Sequence, residues 1–286
     1  MPVLHQRFAA QAAQHPGALA LQIGPRCWTY QDLAALTSTT ARQFQADGLG
    51  QGHFIGWLGH NSAEMLAALL ACAQIGAVFV PLNWRLAAPE LAAIARHAGL
   101  SALRHTPELA ALAAQVLALA PCAGPTTPAS PTNTANPANP TDASAAAQPG
   151  DVLLVYTSGT TAQPGQPGQA GQPGQPKGAM HSQRGLLANI DIALAVQGLT
   201  AADRVLAVLP LFHVGGLCIQ VLPALAVGAA SSCMPVLRPQ PGCRRWPPGG
   251  PAPACWCRRP CRRCCSSRAG RRPIWRRCAA STAVHK

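Results

Sequence analysis

Two rhythms of apolar residues run along the first 230 positions. Short continuous runs, Ala77-Val78-Phe79-Val80-Pro81-Leu82-Asn83 and Asp151-Val152-Leu153-Leu154-Val155, are bounded by polar residues or glycine and predict buried strands. Helical spacing follows Thr29, where Leu33, Leu36, Ala41 and Phe44 supply an approximate apolar face. Thr29 is placed to cap that helix with Asp32 at the third position, and Gly48 stops it. Asn61-Ser62-Ala63-Glu64 reads as a second capped start, continued by Met65 to Cys72 and terminated at Gly76. Each segment alone is ordinary α/β core.

Two stretches break this pattern. Residues 121–150 are built from Pro, Thr, Ala, Asn and Ser and read as a linker, an exposed excursion between two pieces of one larger domain. Beyond Ala230 no apolar periodicity remains, and the charge changes character. The chain has 22 Lys and Arg against 9 Asp and Glu, a net charge of +13. Positive and negative residues balance up to Ala230, so the whole excess lies in residues 231–286, which contain no acid. Eight cysteines lie there too: Cys233, Cys243, Cys255, Cys257, Cys261, Cys264, Cys265 and Cys278.

Three readings of that tail compete. Arg258-Arg259, Arg262-Arg263, Arg271-Arg272 and Arg276-Arg277, interleaved with Trp256 and Trp275, have the composition of a nucleic-acid arm. Cys261-Arg262-Arg263-Cys264 has zinc-ligand spacing, but no second well-spaced pair follows. A shifted reading frame in a GC-rich gene also yields Arg, Cys, Pro, Gly, Ala and Trp with few acids. The frameshift accounts for more of the composition, and it predicts a disordered tail with no nucleic-acid role. The four earlier cysteines are scattered, as expected of a reduced cytoplasmic protein. The start lacks the basic region and apolar block of a signal peptide. The uncharged tract from Val205 to Ala230 is long enough to span a bilayer, but Pro210, Gly215, Gly216 and Pro223 argue against a span.

Candidate chemistry centres on Tyr156-Thr157-Ser158-Gly159-Thr160-Thr161, resumed at Gly174-Gln175-Pro176-Lys177-Gly178. Small hydroxyl residues and glycines leave backbone N–H groups uncovered for phosphate oxygens, and one lysine neutralises charge. A Walker A loop needs Gly-Lys-Ser/Thr opening a helix, whereas Lys177 follows Pro176 and precedes Gly178. A Gly-x-Gly-x-x-Gly dinucleotide fingerprint is absent. Between the two halves, Gly165, Gly168, Gly171 and Gly174 recur every third residue. Four triplets are too few for a collagen helix, so tandem duplication of a Gln-Pro-Gly unit is the simpler origin. Joining Thr161 to Gly174 would excise the twelve residues from Ala162 to Pro173. Bridging a flexible loop costs only a logarithm of its length, on the order of a kcal/mol, so the fold is expected to tolerate the segment. Preorganisation of the phosphate cradle is expected to suffer.

This split loop resembles the phosphate loop of the adenylate-forming (AMP-binding) acyl-CoA synthetases. Thr29-Tyr30-Gln31-Asp32-Leu33 is similar to the family's Thr-Tyr-x-x-Leu entry, and Gly76-Ala77 through Pro81-Leu82-Asn83 to its Gly-Ala-x-x-x-Pro-Leu-Asn. Glu90-Leu91 matches the downstream Glu-Leu helix, and Leu209-Pro210-Leu211-Phe212-His213-Val214-Gly215-Gly216-Leu217 the segment that walls the acid pocket. The resemblance implies an α/β fold, the partial amino-terminal domain of the synthetases. Residues 1–120 and 151–230 would be its two parts, 121–150 the linker and 231–286 the anomalous tail. It also implies ligase chemistry on a small carboxylic acid, read here as a fatty acid, with ATP, Mg2+ and CoA.

Residue by residue, the resemblance assigns Thr157, Ser158, Gly159, Thr160, Thr161 and Lys177 to ATP phosphates, and His213, Gly215 and Gly216 to the substrate pocket. It assigns no general base, because the substrate carboxylate is the nucleophile, and no protein metal ligand. The family's Tyr-Gly-x-Thr-Glu-like motif, ribose-binding Asp, hinge and adenylation lysine find no match, and Lys286 is no substitute. The expectation is therefore a truncated polypeptide that forms no acyl-CoA.

Overall fold

A computed structural model describes residues 4–124, 147–157 and 176–233. The chain opens with helix α1 (Leu4–Gln14), the hairpin β1 (Leu19–Ile23) and β2 (Arg26–Thr29), and helix α2 (Tyr30–Ala46). Strands and helices then alternate: β3 (Phe54–Leu58), α3 (Ala63–Ile75), β4 (Val78–Leu82), α4 (Ala88–Ala98) and β5 (Ala102–His105). A 3-10 turn at Pro107–Leu109 leads into α5 (Ala110–Leu119). After the linker come β6 (Asp151–Thr157), β7 (Lys177–Ser182), α6 (Gln183–Gln197) and β8 (Arg204–Ala207). A π-helical segment at Gly215–Val221 runs into α7 (Leu222–Ala226), and β9 (Ala230–Cys233) follows.

Local signals set the helix ends. The Thr29 side chain accepts from the Asp32 amide while Asp32 reaches back to the Thr29 N–H, a complete capping box. Ser62, not Asn61, caps α3 by accepting from Met65 N at 3.1 Å. Gly76 ends that helix in the left-handed region at φ 76°, which a glycine enters without steric penalty.

Two sheets result, ordered β5-β3-β4-β6-β7 and β2-β1-β9-β8. In the first, β5, β3, β4 and β6 are parallel and β7 returns antiparallel to β6. Every residue of β3 and β4 is buried, because both faces of this sheet are covered. Phe54, Leu58, Val78, Val80, Leu82 and Leu154 pack on Leu91, Ala95 and Val116 of α4 and α5. Ile55, Trp57, Phe79, Leu153 and Val155 belong to the larger core, with Met65, Leu69, Leu186, Ile190 and Leu225.

Strands from both sides of the linker interleave. Phe79 of β4 pairs with Leu153 of β6, and β1 pairs in parallel with β9. The Tyr30 hydroxyl joins them further, its one proton shared between the carbonyls of Ala229 (2.9 Å) and Leu225 (3.1 Å). Its burial pushes the Tyr30 phenol pKa up, so it stays a neutral donor. Strand β9 continues through Cys233, three residues into the segment read from sequence as tail, and Ser231 and Cys233 are buried. The uncharged tract from Val205 to Ala230 is divided among a strand, a turn, the π-helical segment and α7. No helix among the described residues is long and apolar enough to cross a membrane. At residues 231–233 strand β9 corrects the expectation of a disordered tail, because pairing with β1 and β8 orders them; for the rest of the tail, that expectation and the zinc-free one fall on residues outside the described ones.

Candidate phosphate and acid site

Because β5, β3, β4 and β6 are parallel, their carboxyl ends open on one edge of the sheet, the edge where α/β folds bind ligands. There, His60 and Asn61 follow β3, Trp84 and Arg85 follow β4, and Thr157 ends β6. Lys177 is the first residue of β7 and the cross-strand partner of Thr157. The sequence pattern predicts no strand after the loop. It was hidden because Lys177-Gly178-Ala179-Met180-His181-Ser182 lacks a β-branched residue, and its pairing partner lies twenty positions back.

Ser158, Gly159, Thr160, Thr161 and the Gly-Gln-Pro segment lie outside the described residues. Their two ends do not: the chain leaves and re-enters the sheet through adjacent rungs, Tyr156 opposite Gly178 and Thr157 opposite Lys177. Gly178 lies close under side chains of β6. A Cβ there would lie 2.7 Å from Leu154 Cδ1 and 3.2 Å from Tyr156 Cζ. Lys177 is exposed.

A second cluster carries the residues assigned to the acid pocket. The Asn61 side chain donates to Leu209 O at 3.2 Å and accepts from Leu211 N at 2.8 Å, clamping the segment that leaves β8 to the carboxyl edge of the five-stranded sheet. His213 lies in the turn that follows, its N–H donating to Pro210 O at 3.2 Å, and Gly215 begins the π-helical segment. Gly216 is buried against the backbone, where a Cβ would sit 2.6 Å from Pro210 O. The His213 ring is exposed, 6.3 Å from the buried Phe212 ring. Single-turn π segments are frequent at functional sites because the wider turn re-aims side chains.

Further side chains at this edge were not singled out in the sequence. The Arg85 guanidinium lies 5.0 Å from the Trp84 ring and 5.7 Å from that of Phe212, so it bridges the β4 turn to the His213 segment. His60 Nδ1 is 3.0 Å from Glu108 Oε1, and the imidazole meets Trp84 edge-on with centroids 4.5 Å apart. In the sequence Asn61 reads only as part of a helix start. No local signal in the sequence marks the contact of its amide with Leu209 and Leu211, which are distant in the chain.

This arrangement coincides with a protein-family match. The model of the AMP-binding enzyme family matches residues 8–246, most of the chain. The chain belongs to that family. The match runs past Ala230, where the sequence reading had ended the resemblance. The chain is 38% identical over 227 residues to an indoleacetate–CoA ligase of Aromatoleum aromaticum, covering 76% of this chain and 42% of that protein. It is 36% identical over 218 residues to a feruloyl-CoA synthase of Amycolatopsis sp., covering 76% of this chain and 41% of that one. The amino-terminal domain of FACL13 from Mycobacterium tuberculosis shares the fold at a TM-score of 0.65 and 22% identity, covering 83% of this chain and 58% of that one. The chain thus spans less than half the length of the curated relatives it matches.

Proposed function

We propose that this member of the AMP-binding family carries the phosphate end of an ATP-dependent acid–thiol ligase site. In that chemistry a carboxylate oxygen attacks the α-phosphorus of ATP and pyrophosphate leaves. The CoA sulfur then attacks the acyl carbon, losing its proton as AMP departs. The observation that carries the reading is the pairing of Thr157 with Lys177 at the carboxyl edge of the parallel sheet. It puts the two ends of the phosphate motif side by side in a chain of this family.

Thr157, Ser158, Gly159, Thr160, Thr161 and Lys177 would hold the β- and γ-phosphates, favouring departure of pyrophosphate. His213, Gly215 and Gly216 would wall the acid. Magnesium is taken as part of the MgATP substrate. In this reading residues 1–120 and 151–230 are two parts of one cytoplasmic AMP-binding domain, and the basic tail has no nucleic-acid role.

The acid was read from sequence as a fatty acid. An aryl acid is the second reading, favoured by the indoleacetate and ferulate named for the two relatives. The polypeptide alone is expected to bind MgATP without completing the reaction, since no residue matched to ribose binding or to the adenylation lysine is present. Titration with MgATP, together with acyl-CoA assays over fatty and aryl acids, tests both parts. Binding lost in Lys177→Ala supports the phosphate site, and no binding by the wild-type chain overturns it. Acyl-CoA above an enzyme-free control would overturn the expected inactivity.

A further inference from the structure

His97 stands in the last turn of α4, with no place in the motifs that mark the family, yet it reaches the residue before the phosphate loop. Its Nδ1 lies 2.8 Å from the Tyr156 hydroxyl, and the two rings meet edge-on at 84° with centroids 5.6 Å apart. Tyr156 is the penultimate residue of β6. Burial pushes its pKa up and keeps the phenol neutral, so the contact is a hydrogen bond and not an ion pair.

We propose that His97 is a positioning residue for the phosphate hairpin, acting through Tyr156 on the rung that carries Lys177; this rests on the phosphate role proposed above for that hairpin.

Strand periodicity carries the argument. Leu154 and Tyr156 share one face of β6, and Gly178 and Met180 lie opposite them on β7. Leu154, Tyr156 and Met180 pack in the cluster formed with α4, so this face is turned toward the helix that bears His97. The Tyr156 ring lies over Gly178, its Cζ 3.2 Å from where a Cβ would stand, behind the nearer Leu154 Cδ1 at 2.7 Å. Lys177, one residue earlier in β7, falls on the other face. Among the described residues, the Thr157–Lys177 rung is the last of the β6–β7 ladder, one residue beyond Tyr156. The His97–Tyr156 bond ties this last stretch to a helix packed into the core.

Isothermal titration of the full chain with magnesium pyrophosphate, and amide hydrogen exchange across Lys177 to Met180, test the proposal together. Tyr156→Phe keeps the ring over Gly178 and deletes only the hydroxyl. It and His97→Ala should each weaken pyrophosphate binding about three- to tenfold and speed exchange at those amides, with the thermal midpoint nearly unchanged. The double variant should lose no more than either single one, because both delete the same bond. His97→Asn, whose amide offers a polar atom at similar reach, should restore most of the affinity.

Unchanged affinity in both single variants, additive losses, or losses that track the thermal midpoint without rescue by Asn would overturn the inference. If the wild-type chain bound no pyrophosphate, the phosphate reading itself would fall. Exchange at Lys177 to Met180 would then still decide whether His97 holds the hairpin, and unaltered exchange in Tyr156→Phe would overturn that too.

Discussion

Thr157 and Lys177 face each other as the last pair of the β6–β7 hairpin, with nineteen residues of chain between them. Closing a hairpin around so long a connection is entropically tolerable, because the cost rises only with the logarithm of loop length. In the phosphate role proposed for Ser158 to Thr161, the expected cost of length is in preorganisation.

Deleting Ala162 to Pro173 should therefore act on binding more than on stability. Seven residues would remain between the paired rungs, and the loop donors and Lys177 would move as one unit. The expected result is tighter magnesium pyrophosphate binding, with Lys177→Ala removing most of the gain. In a full-length ligase carrying the same segment, ATP–pyrophosphate exchange should accelerate. Equal or weaker binding after the deletion would show the segment to be a tolerated or useful loop.

The Asn61 clamp predicts a local lesion. Asn61→Ala removes both hydrogen bonds and leaves the carbonyl of Leu209 and the amide of Leu211 without that partner. A loss of about 1–3 kcal/mol is expected from denaturant unfolding, with faster exchange at the Leu211 amide. Asn61→Asp should recover only the bond from Leu211 N, because a carboxylate cannot donate to Leu209 O.

Gly216 and Gly215 should differ in tolerance to alanine. At Gly216 the new methyl would sit 2.6 Å from a backbone oxygen, which cannot rotate away. At Gly215 the nearest atom is the mobile Leu209 Cδ1 at 3.2 Å. Gly216→Ala should cost about 1–3 kcal/mol by overpacking, and Gly215→Ala clearly less. Equal costs in thermal unfolding would contradict this geometry.

Acid should destabilise the fold through His5 and His181. Burial lowers the pKa of both, partly offset at His5 by the Ala73 backbone. The unfolded chain therefore takes up these protons first. Stability is full above the ordinary histidine pKa of about 6.5 and falls as pH drops below it, levelling only below the folded-state pKa values. His181→Gln should flatten the slope of unfolding free energy against pH in that window. An unchanged slope would remove His181 from the account.

Sequence alone determined the parts whose causes are local. The Thr29–Asp32 capping box, the stop at Gly76 and the buried strands at 78–82 and 151–155 follow from spacing and residue type within one turn or one strand. The ordered series of motifs was equally legible, since each consists of neighbouring residues; it pointed to the family before any strand had a partner.

Tertiary structure decided the rest, because the causes lie far apart in the chain. Residues 177–182 became a strand by pairing with β6. Asn61 acquired its role from a backbone some 150 positions away, and His97 from a tyrosine 59 positions away. Gly216 must be glycine because Pro210 approaches it when the turn folds. None of these leaves a periodic or compositional trace: a single hydrogen bond or close contact between distant segments alters neither hydrophobic spacing nor propensity at either end.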